Sequence, residues 1–260
     1  MLAFSNFVAQ PLLRSCFAVP DRSACISPMH ISIIIPVYNE AEHIAETVKH
    51  LKAAYPDAEV LVVDGGSNDG TCALAAAEGA TVHVSPVKGR AGQMNHGVKH
   101  SNGDVLYFVH ADTRPPRTFP KVIAEAIKAD YDHGSFRTRF ATGSLILKVN
   151  AWCTRFDKPF FRGGDQSIWV TRELFERCGG YKEEMLIMEE YDLLDRMREI
   201  GNFHLSSEST MISSRKYADN SWLRVQLANL KVVRMYRRGA SQEAMLRTYG
   251  EMLDYRRNAF

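Results

Sequence analysis

An α/β fold built on a mostly parallel sheet is predicted by three features of this sequence. Short β-branched apolar runs recur along its first half, segments of helical period separate them, and a cluster of Gly, Asn, Asp or Pro follows most of the runs. Runs that are apolar throughout belong to strands covered on both faces, and their alternation with helices gives parallel crossover units. Ile31 to Pro36 is the first strand. Ile44, Val48, Leu51 and Tyr55 fall on one face of a helix from about Glu40 to Ala54, which Pro56-Asp57 ends. Val60 to Val63 is a second strand, and a helix over Thr71 to Glu78 follows it and stops at Gly79. Thr81 to Val84 and Val105 to Val109 supply a third and a fourth strand, and Phe119, Val122, Ile123, Ala126 and Ile127 line a further amphipathic helix.

Composition narrows the class. A chain of 260 residues holds one large domain or a domain with an appended lobe. With 45% hydrophobic and 24% charged residues it is neither a disordered chain nor a fibrous rod. Its 32 Lys+Arg against 30 Asp+Glu leave a net charge of +2, which gives no field for a nucleic acid. Five cysteines, at positions 16, 25, 72, 153 and 178, show neither CxxC pairing nor a zinc-like cluster. They read as reduced thiols of a cytoplasmic protein without a structural metal.

Residues 1–28 mix interrupted apolar runs with Pro11 and Pro20 and read as a disordered extension or an over-called start. Folded structure is expected from Met29, and a truncation there should keep activity. No run long enough to span a membrane occurs. From Arg215 to Arg238 there are seven Lys or Arg and one acid, with Arg224, Lys231 and Arg238 recurring every seven residues. Trp222, Val225, Val232, Met235 and Tyr236 face away from them, and Leu223, Leu227 and Leu230 form a second apolar stripe. Residues 215–260 are therefore expected to be a basic C-terminal helical segment. Its stretch 221–238 suits packing on two sides, a peripheral contact with anionic lipid at the inner face of a membrane, or a homo-oligomer interface.

In open sheets of this type the ligand lies outside the carboxyl ends of the strands. Here the strand ends carry Pro36-Val37-Tyr38-Asn39-Glu40, then Asp64 to Thr71, then Lys88 to Asn95, then His110-Ala111-Asp112. Each has an ordinary explanation: Asp64 can begin a turn, Asp69 can cap a helix, Asp112 can precede a loop. Together they set several carboxylates and cations along one rim, the composition that a metal-bound diphosphate requires. A dinucleotide site is excluded by spacing, because the glycines follow the second strand rather than the first. There is no GxxxxGK[ST] phosphate loop either.

SIIIPVYNE, LVVDGGSNDGT and DVLYFVHADT resemble, in order and spacing, glycosyltransferase family 2, the nucleotide-sugar transferases of the GT-A fold. The likeness covers about residues 30 to 200. KGRAGQMNHG, the GGDQ segment at 163–166 and the Arg-rich end are similar to a bacterial subgroup labelled arsenosugar-biosynthesis or radical-SAM-associated glycosyltransferases. The resemblance implies a GT-A (Rossmann-like) catalytic domain over 29–214 and an inverting transfer from a nucleoside-diphosphate sugar to an unidentified acceptor, helped by Mn²⁺ or Mg²⁺. Pro36, Tyr38 and Glu40 would line the nucleotide pocket, Asp64 would accept from the base, and Asp69 belongs to the same donor-binding set. Arg90, with Lys88 as alternative, would be the cation near the base, and Arg215 the arginine near the diphosphate.

Asp112 matches the last acid of the metal-binding DxD element, but His110 stands where the first acid would be. An imidazole there favours Mn²⁺ over Mg²⁺ or an ion held chiefly by Asp112 and the substrate phosphates, and a His that only hydrogen-bonds the loop fits the position equally well. The family's catalytic Glu-Asp pair reads Glu189-Glu190 here, which makes Glu190 the expected base, Glu189 second and Asp192 third. Acids that merely favour a helix N-terminus would read the same. Asp165 and Gln166 would meet sugar hydroxyls, and Trp169 or Trp152 would stack on a sugar face. Two other functions fit parts of the pattern: a sugar nucleotidyltransferase, for which Pro36 to Glu40 lacks the needed glycines and cations, and a degenerate nucleotide-sugar-binding scaffold.

Overall fold

The computed structural model describes residues 29–142, 144–158 and 166–253. The expected extension 1–28 and the residues Gly163, Gly164 and Asp165 lie outside this range. Seven strands form one sheet: β1 Ile31–Val37, β2 Glu59–Asp64, β3 Thr81–Val84, β4 Val105–Phe108, β5 His133–Phe140, β6 Ile168–Thr171 and β7 Phe203–Ile212, in the spatial order β3-β2-β1-β4-β6-β5-β7. β1 runs parallel to β2 and β4, with Ile33 opposite both Val60 and Tyr107. β6 is antiparallel to both its neighbours, and β5 and β7 are again parallel. The sheet is thus mostly parallel, as the apolar strands predict.

Alternation along β1 divides the core. Ile31, Ile33 and Ile35 pack with Ile44, Val48 and Leu51 of α1 (Ile44–Ala54) and with Phe119 and Ile123 of α4 (Phe119–Lys128). Ile34 faces the other way, onto Ala91, Met94 and Val98 of α3 (Arg90–Lys99) and, in the same layer, Leu193, Leu194 and Met197 of α7 (Glu189–Ile200). Removing one such buried aliphatic side chain from water contributes about 1.5–3 kcal/mol. α3 lies close on the sheet because Gly97 has no side chain: a Cβ there would stand 2.5 Å from Ile34 Cγ2 and 3.0 Å from Val63 Cγ2.

The structure adds elements that the apolar pattern did not show. α3 carries Gly92 and Gly97, which lower helix propensity, and its buried face includes Gln93, so its periodicity is faint. α1 begins at Ile44 rather than near Glu40, since residues 38–43 form a turn with Asn39 at φ +52°. Trp169 requires a correction. It lies on the central strand β6, is fully buried in the α1/α4 layer and offers no face to a sugar.

The basic segment forms α8 (Lys216–Asp219), α9 (Trp222–Arg237) and α10 (Gln242–Met252). Ser221 and Ser241 cap the last two by accepting from the amides of Arg224 and Ala244. Val232 and Met245 pack with Met185, Ile187 and Met188, the residues that lead into α7, and Val225, Ala228 and Leu253 form a second small cluster. Leu223 and Leu227 remain 60% and 50% exposed. Among the described residues no helix is long and apolar enough to cross a membrane.

Candidate active site

The loops after β1 and β2 are tied to each other by polar side chains. Asp64, buried at the end of β2, accepts from the Gly66 and Ser67 amides at 3.0 Å and from the Ser67 hydroxyl. The Ser67 oxygen in turn accepts from the Asn39 amide at 2.8 Å, and Asn39 Oδ1 accepts from the Asn68 amide. Asp69 accepts from the Ala41 and Thr71 amides and from the Thr71 hydroxyl. Its partial desolvation opposes ionisation, but these donors prevail and hold its pKa low. Both aspartates therefore do what turn chemistry predicts, and in doing so they fix the rim on which Tyr38 is exposed. Pro36 is buried in the β1 ladder opposite Val63. That corrects its expected place on the pocket wall.

Two clusters of charge face this rim. In the first, Arg215, just before α8, donates both terminal nitrogens to the buried Glu40 carboxylate at 2.9 and 3.0 Å and lies 3.0 Å from Asp112 Oδ2. A planar fork matched to a carboxylate is the strong form of such a pair. A shallow, open cleft adjoins it, lined by His110, Asp112, Thr113, Ser213, Arg215 and Tyr217. In the second, Arg90, the first residue of α3, lies 2.7 Å from Glu189 and 3.7 Å from Glu190 Oε1, and His110 Nε2 is 3.7 Å from that same oxygen. His110 therefore belongs to both clusters.

Glu189 and Glu190 open α7, where three acids in the first turn complement the helix dipole, after Met188 at φ +71°. Both are almost wholly buried. Burial pushes the Glu189 pKa up to about 7 against the pull of Arg90, and the neighbouring Glu190 adds to the rise. Asp192 is different: Lys182 Nζ and Arg196 Nε each donate to it at 2.7 Å. Burial disfavours its charge, yet these two donors outweigh burial and lower its pKa. It is a structural anchor, so the third choice for a base is withdrawn.

Of the other expected residues, Lys88 is exposed on the loop before α3, and Gln166 is buried just before β6. Asp165 lies outside the described residues. Trp152 is half-exposed on α5 (Leu145–Cys153), with Arg155 stacked 4.6 Å from its ring centroid. Two positioning residues escaped the sequence reading although both lie within KGRAGQMNHG. Buried Gln93 donates to the carbonyls of Val37 and Val63, at 2.8 and 2.7 Å, and so clips the ends of β1 and β2 together. Asn95 donates to the Tyr181 carbonyl at 2.8 Å and accepts its amide at 3.0 Å, holding the Gly179-Gly180-Tyr181 turn against α3. Two amide side chains, Gln93 and Asn95, flanked within one helix by Gly92 and Gly97 were the available signal.

A mostly parallel sheet with acids and cations gathered at its strand ends defines a GT-A, Rossmann-like glycosyltransferase architecture. The chain belongs to glycosyl transferase family 2, whose family model matches residues 32–187, more than half of it. It is 34% identical over 104 residues to protein RfbJ of Shigella flexneri, covering 40% of this chain and 81% of that one. It is also 33% identical over 142 residues to the dolichol-phosphate mannosyltransferase of Pyrococcus furiosus, covering 52% of this chain and 37% of that one. The match to the undecaprenyl-phosphate 4-deoxy-4-formamido-L-arabinose transferase of Sodalis glossinidius is 36% over 117 residues, 39% of this chain and 35% of that one. The chain thus spans only about a third of the length of these two lipid-phosphate transferases.

Among solved structures, the mannosyltransferase PcManGT of Pyrobaculum calidifontis, in complex with GDP-Man and Mn²⁺, superposes with a TM-score of 0.60 at 18% identity, over 87% of this chain and 70% of that one. Glucosyl-3-phosphoglycerate synthase of Mycobacterium tuberculosis, in complex with Mn²⁺, UDP and glucosyl-3-phosphoglycerate, gives 0.56 at 17% identity, over 82% and 81%. At these identities the superpositions establish the fold.

Proposed function

We propose that this protein transfers a sugar from a nucleoside-diphosphate sugar to an acceptor hydroxyl, with inversion and with the help of a divalent cation. One observation carries the reading: a buried carboxylate, Glu190, has its Oε1 3.7 Å from both a guanidinium and an imidazole, and that imidazole lines the cleft that Asp112 and Arg215 share. In the displacement, the acceptor oxygen forms its bond to the anomeric carbon as the bond to the diphosphate oxygen breaks. Glu190 takes the acceptor proton, and Arg90 and His110 hold the carboxylate in place. Glu189, its pKa raised by burial and its carboxylate 2.7 Å from Arg90, orients that guanidinium. Arg215, whose fork is held by Glu40, would turn that fork to two phosphate oxygens when the donor binds. Tyr38 and the rim fixed by Asp64 and Asp69 face the nucleotide.

The imidazole of His110 and the carboxylate of Asp112, lining one cleft, form a mixed N/O donor set that fits Mn²⁺ better than Mg²⁺. Bound there, such an ion would stabilise the charge that develops on the diphosphate. The solved relatives that carry Mn²⁺ with GDP-Man or UDP support this choice. The radical-SAM-associated subgroup is the narrower kinship that KGRAGQMNHG supports, without naming a sugar. The exposed Leu223 and Leu227 beside Arg224 and Lys231 support a peripheral contact with anionic membrane through residues 221–238. Vesicles of anionic lipid should retain the protein and release it in salt.

A thermal-shift screen of UDP, GDP, dTDP and their sugar conjugates, each with Mn²⁺, Mg²⁺ or chelator, tests the donor. At a hundredfold excess over its dissociation constant a ligand adds roughly 2.7 kcal/mol to apparent stability. One nucleotide should shift the unfolding temperature only with metal, and Asp112→Ala should abolish that dependence. Glu190→Gln should keep the shift and lower turnover by a factor of about 10² or more. Unaltered turnover in that variant removes Glu190 as the base.

A further inference from the structure

Three histidines come together where the end of α3 meets the edge of the sheet. His83 belongs to the edge strand β3, and His96 and His100 stand one turn apart at the C-terminal end of α3. A spacing of four residues puts two helical side chains on one face. Register supplies the third: His83 lies opposite Val63, which packs in the same layer as α3. The ring centroids are 4.5 Å apart for His83 and His100, 4.3 Å for His96 and His100, and 6.1 Å for His83 and His96. One nitrogen from each ring lies within 4.8 Å of the others.

We infer that His83, His96 and His100 form a binding site for one borderline-soft divalent transition metal, of the Zn²⁺ type, separate from the cation of the donor site. Three points of chemistry support it. An all-imidazole donor set selects Zn²⁺, Co²⁺, Ni²⁺ or Cu²⁺ and discriminates against Mg²⁺ and Mn²⁺, which prefer carboxylate and water. A tetrahedral ion with bonds of about 2.0–2.1 Å spaces its nitrogens about 3.3 Å apart, so ligand atoms that lie within 4.8 Å of one another need draw in by no more than about 1.5 Å to close on it. Finally, His100 Nδ1 is 2.8 Å from the carbonyl of His96. A carbonyl can only accept, so Nδ1 carries the proton and Nε2 keeps its lone pair, the arrangement that orients metal-bound histidines through a second hydrogen bond.

Half-buried His83 and His96 with exposed His100 make a site open to solvent on one side, so the fourth position takes water or an exogenous ligand. The ion would tie the edge strand to α3, whose first residue, Arg90, holds both catalytic acids. His96 is six residues beyond Arg90, about 9 Å along the helix axis at 1.5 Å per residue. The cysteine spacing could not reveal such a site, because its third ligand comes from a separate strand and no thiolate takes part.

The test uses untagged full-length protein, stripped with chelator and titrated with Co²⁺ while visible absorption is followed, then with Zn²⁺ as competitor. One equivalent of Co²⁺ should give the intense band of a four-coordinate ion, and Zn²⁺ should displace it while Mg²⁺ in excess does not. His83→Ala and His100→Ala should each weaken Zn²⁺ at least about tenfold, and Asp112→Ala should leave it unchanged. Zn²⁺ alone should raise the unfolding temperature of the parent protein and not that of His100→Gln, a conservative change at an exposed position. Binding that survives all the histidine substitutions, or only the weak absorption of a six-coordinate ion, overturns the assignment. Neither result depends on whether the sugar-transfer reading is correct.

Discussion

Glu189 is a carboxylic acid placed where its charge is costly. Its pKa, raised to about 7 in the folded chain from 4.5, means that ionisation penalises the folded state over that interval and that below it the penalty is absent. This contribution therefore lowers stability as pH rises from about 4.5 to about 7, by up to roughly 3 kcal/mol at about 1.36 kcal/mol per unit. Glu189→Gln removes the titrating group, so its unfolding temperature relative to the parent should climb between pH 5 and pH 8. A difference that stays flat across that range would show that Arg90 keeps Glu189 ionised throughout. At this scale the sequence was partly legible. The Glu-Glu pair was found because a resemblance pointed to it, and Asp64 and Asp69 because turn aspartates have local duties. Trp169 was misplaced because an aromatic ring carries no mark of the side of a strand on which it falls.

α3 is the element on which the site turns. Its first residue reaches Glu189 and Glu190, Gln93 clips two strands and Asn95 holds the turn before α7. All three depend on a close helix-to-sheet approach, which Gly97 permits. Gly97→Ala would drive a methyl into Ile34 and should destabilise the fold by about 1–3 kcal/mol, read from denaturant unfolding. An unchanged midpoint would mean that Ile34 repacks without cost. The strands β1, β2 and β4 were legible because central parallel strands are apolar on both faces. β7 was not, since Ser206, Ser207, Glu208, Ser209 and Thr210 interrupt any alternation at the end of the sheet. α3 escaped for a related reason: only Ala91, Met94 and Val98 of its buried residues are apolar side chains, and Gly92, Gln93 and Gly97 blur the period.

Across the whole molecule, the C-terminal helices support the loop that carries the acids. Gln242 Oε1, at the start of α10, accepts from the amides of Leu186 and Ile187 at 3.1 and 3.2 Å, just ahead of Glu189. Gln242→Ala should therefore lower turnover several-fold while costing only about 1 kcal/mol of stability. Loss of stability with unchanged turnover would assign the loop's position to Met185, Ile187 and Met188 alone. The basic helix was legible as an amphipathic segment. Its partner was not, because nothing in a single sequence says that residues 185–188 and 232–245 meet.

The Arg215 fork has a consequence for biosynthesis. It joins Glu40 to a residue 175 positions later in the chain. A ribosome releasing this protein exposes β1 and its rim long before Arg215 is made, and because a domain folds as a unit the fork cannot form until the chain beyond 215 has emerged. Through that interval Glu40 must keep its charge in water or in a loosened turn. The rim is complete only once the segment beginning at Arg215, less than the final fifth of the chain, has packed against it. A stalled or truncated product would accordingly hold a nearly finished sheet and no finished site, and would present Glu40 and Asp112 to solvent together.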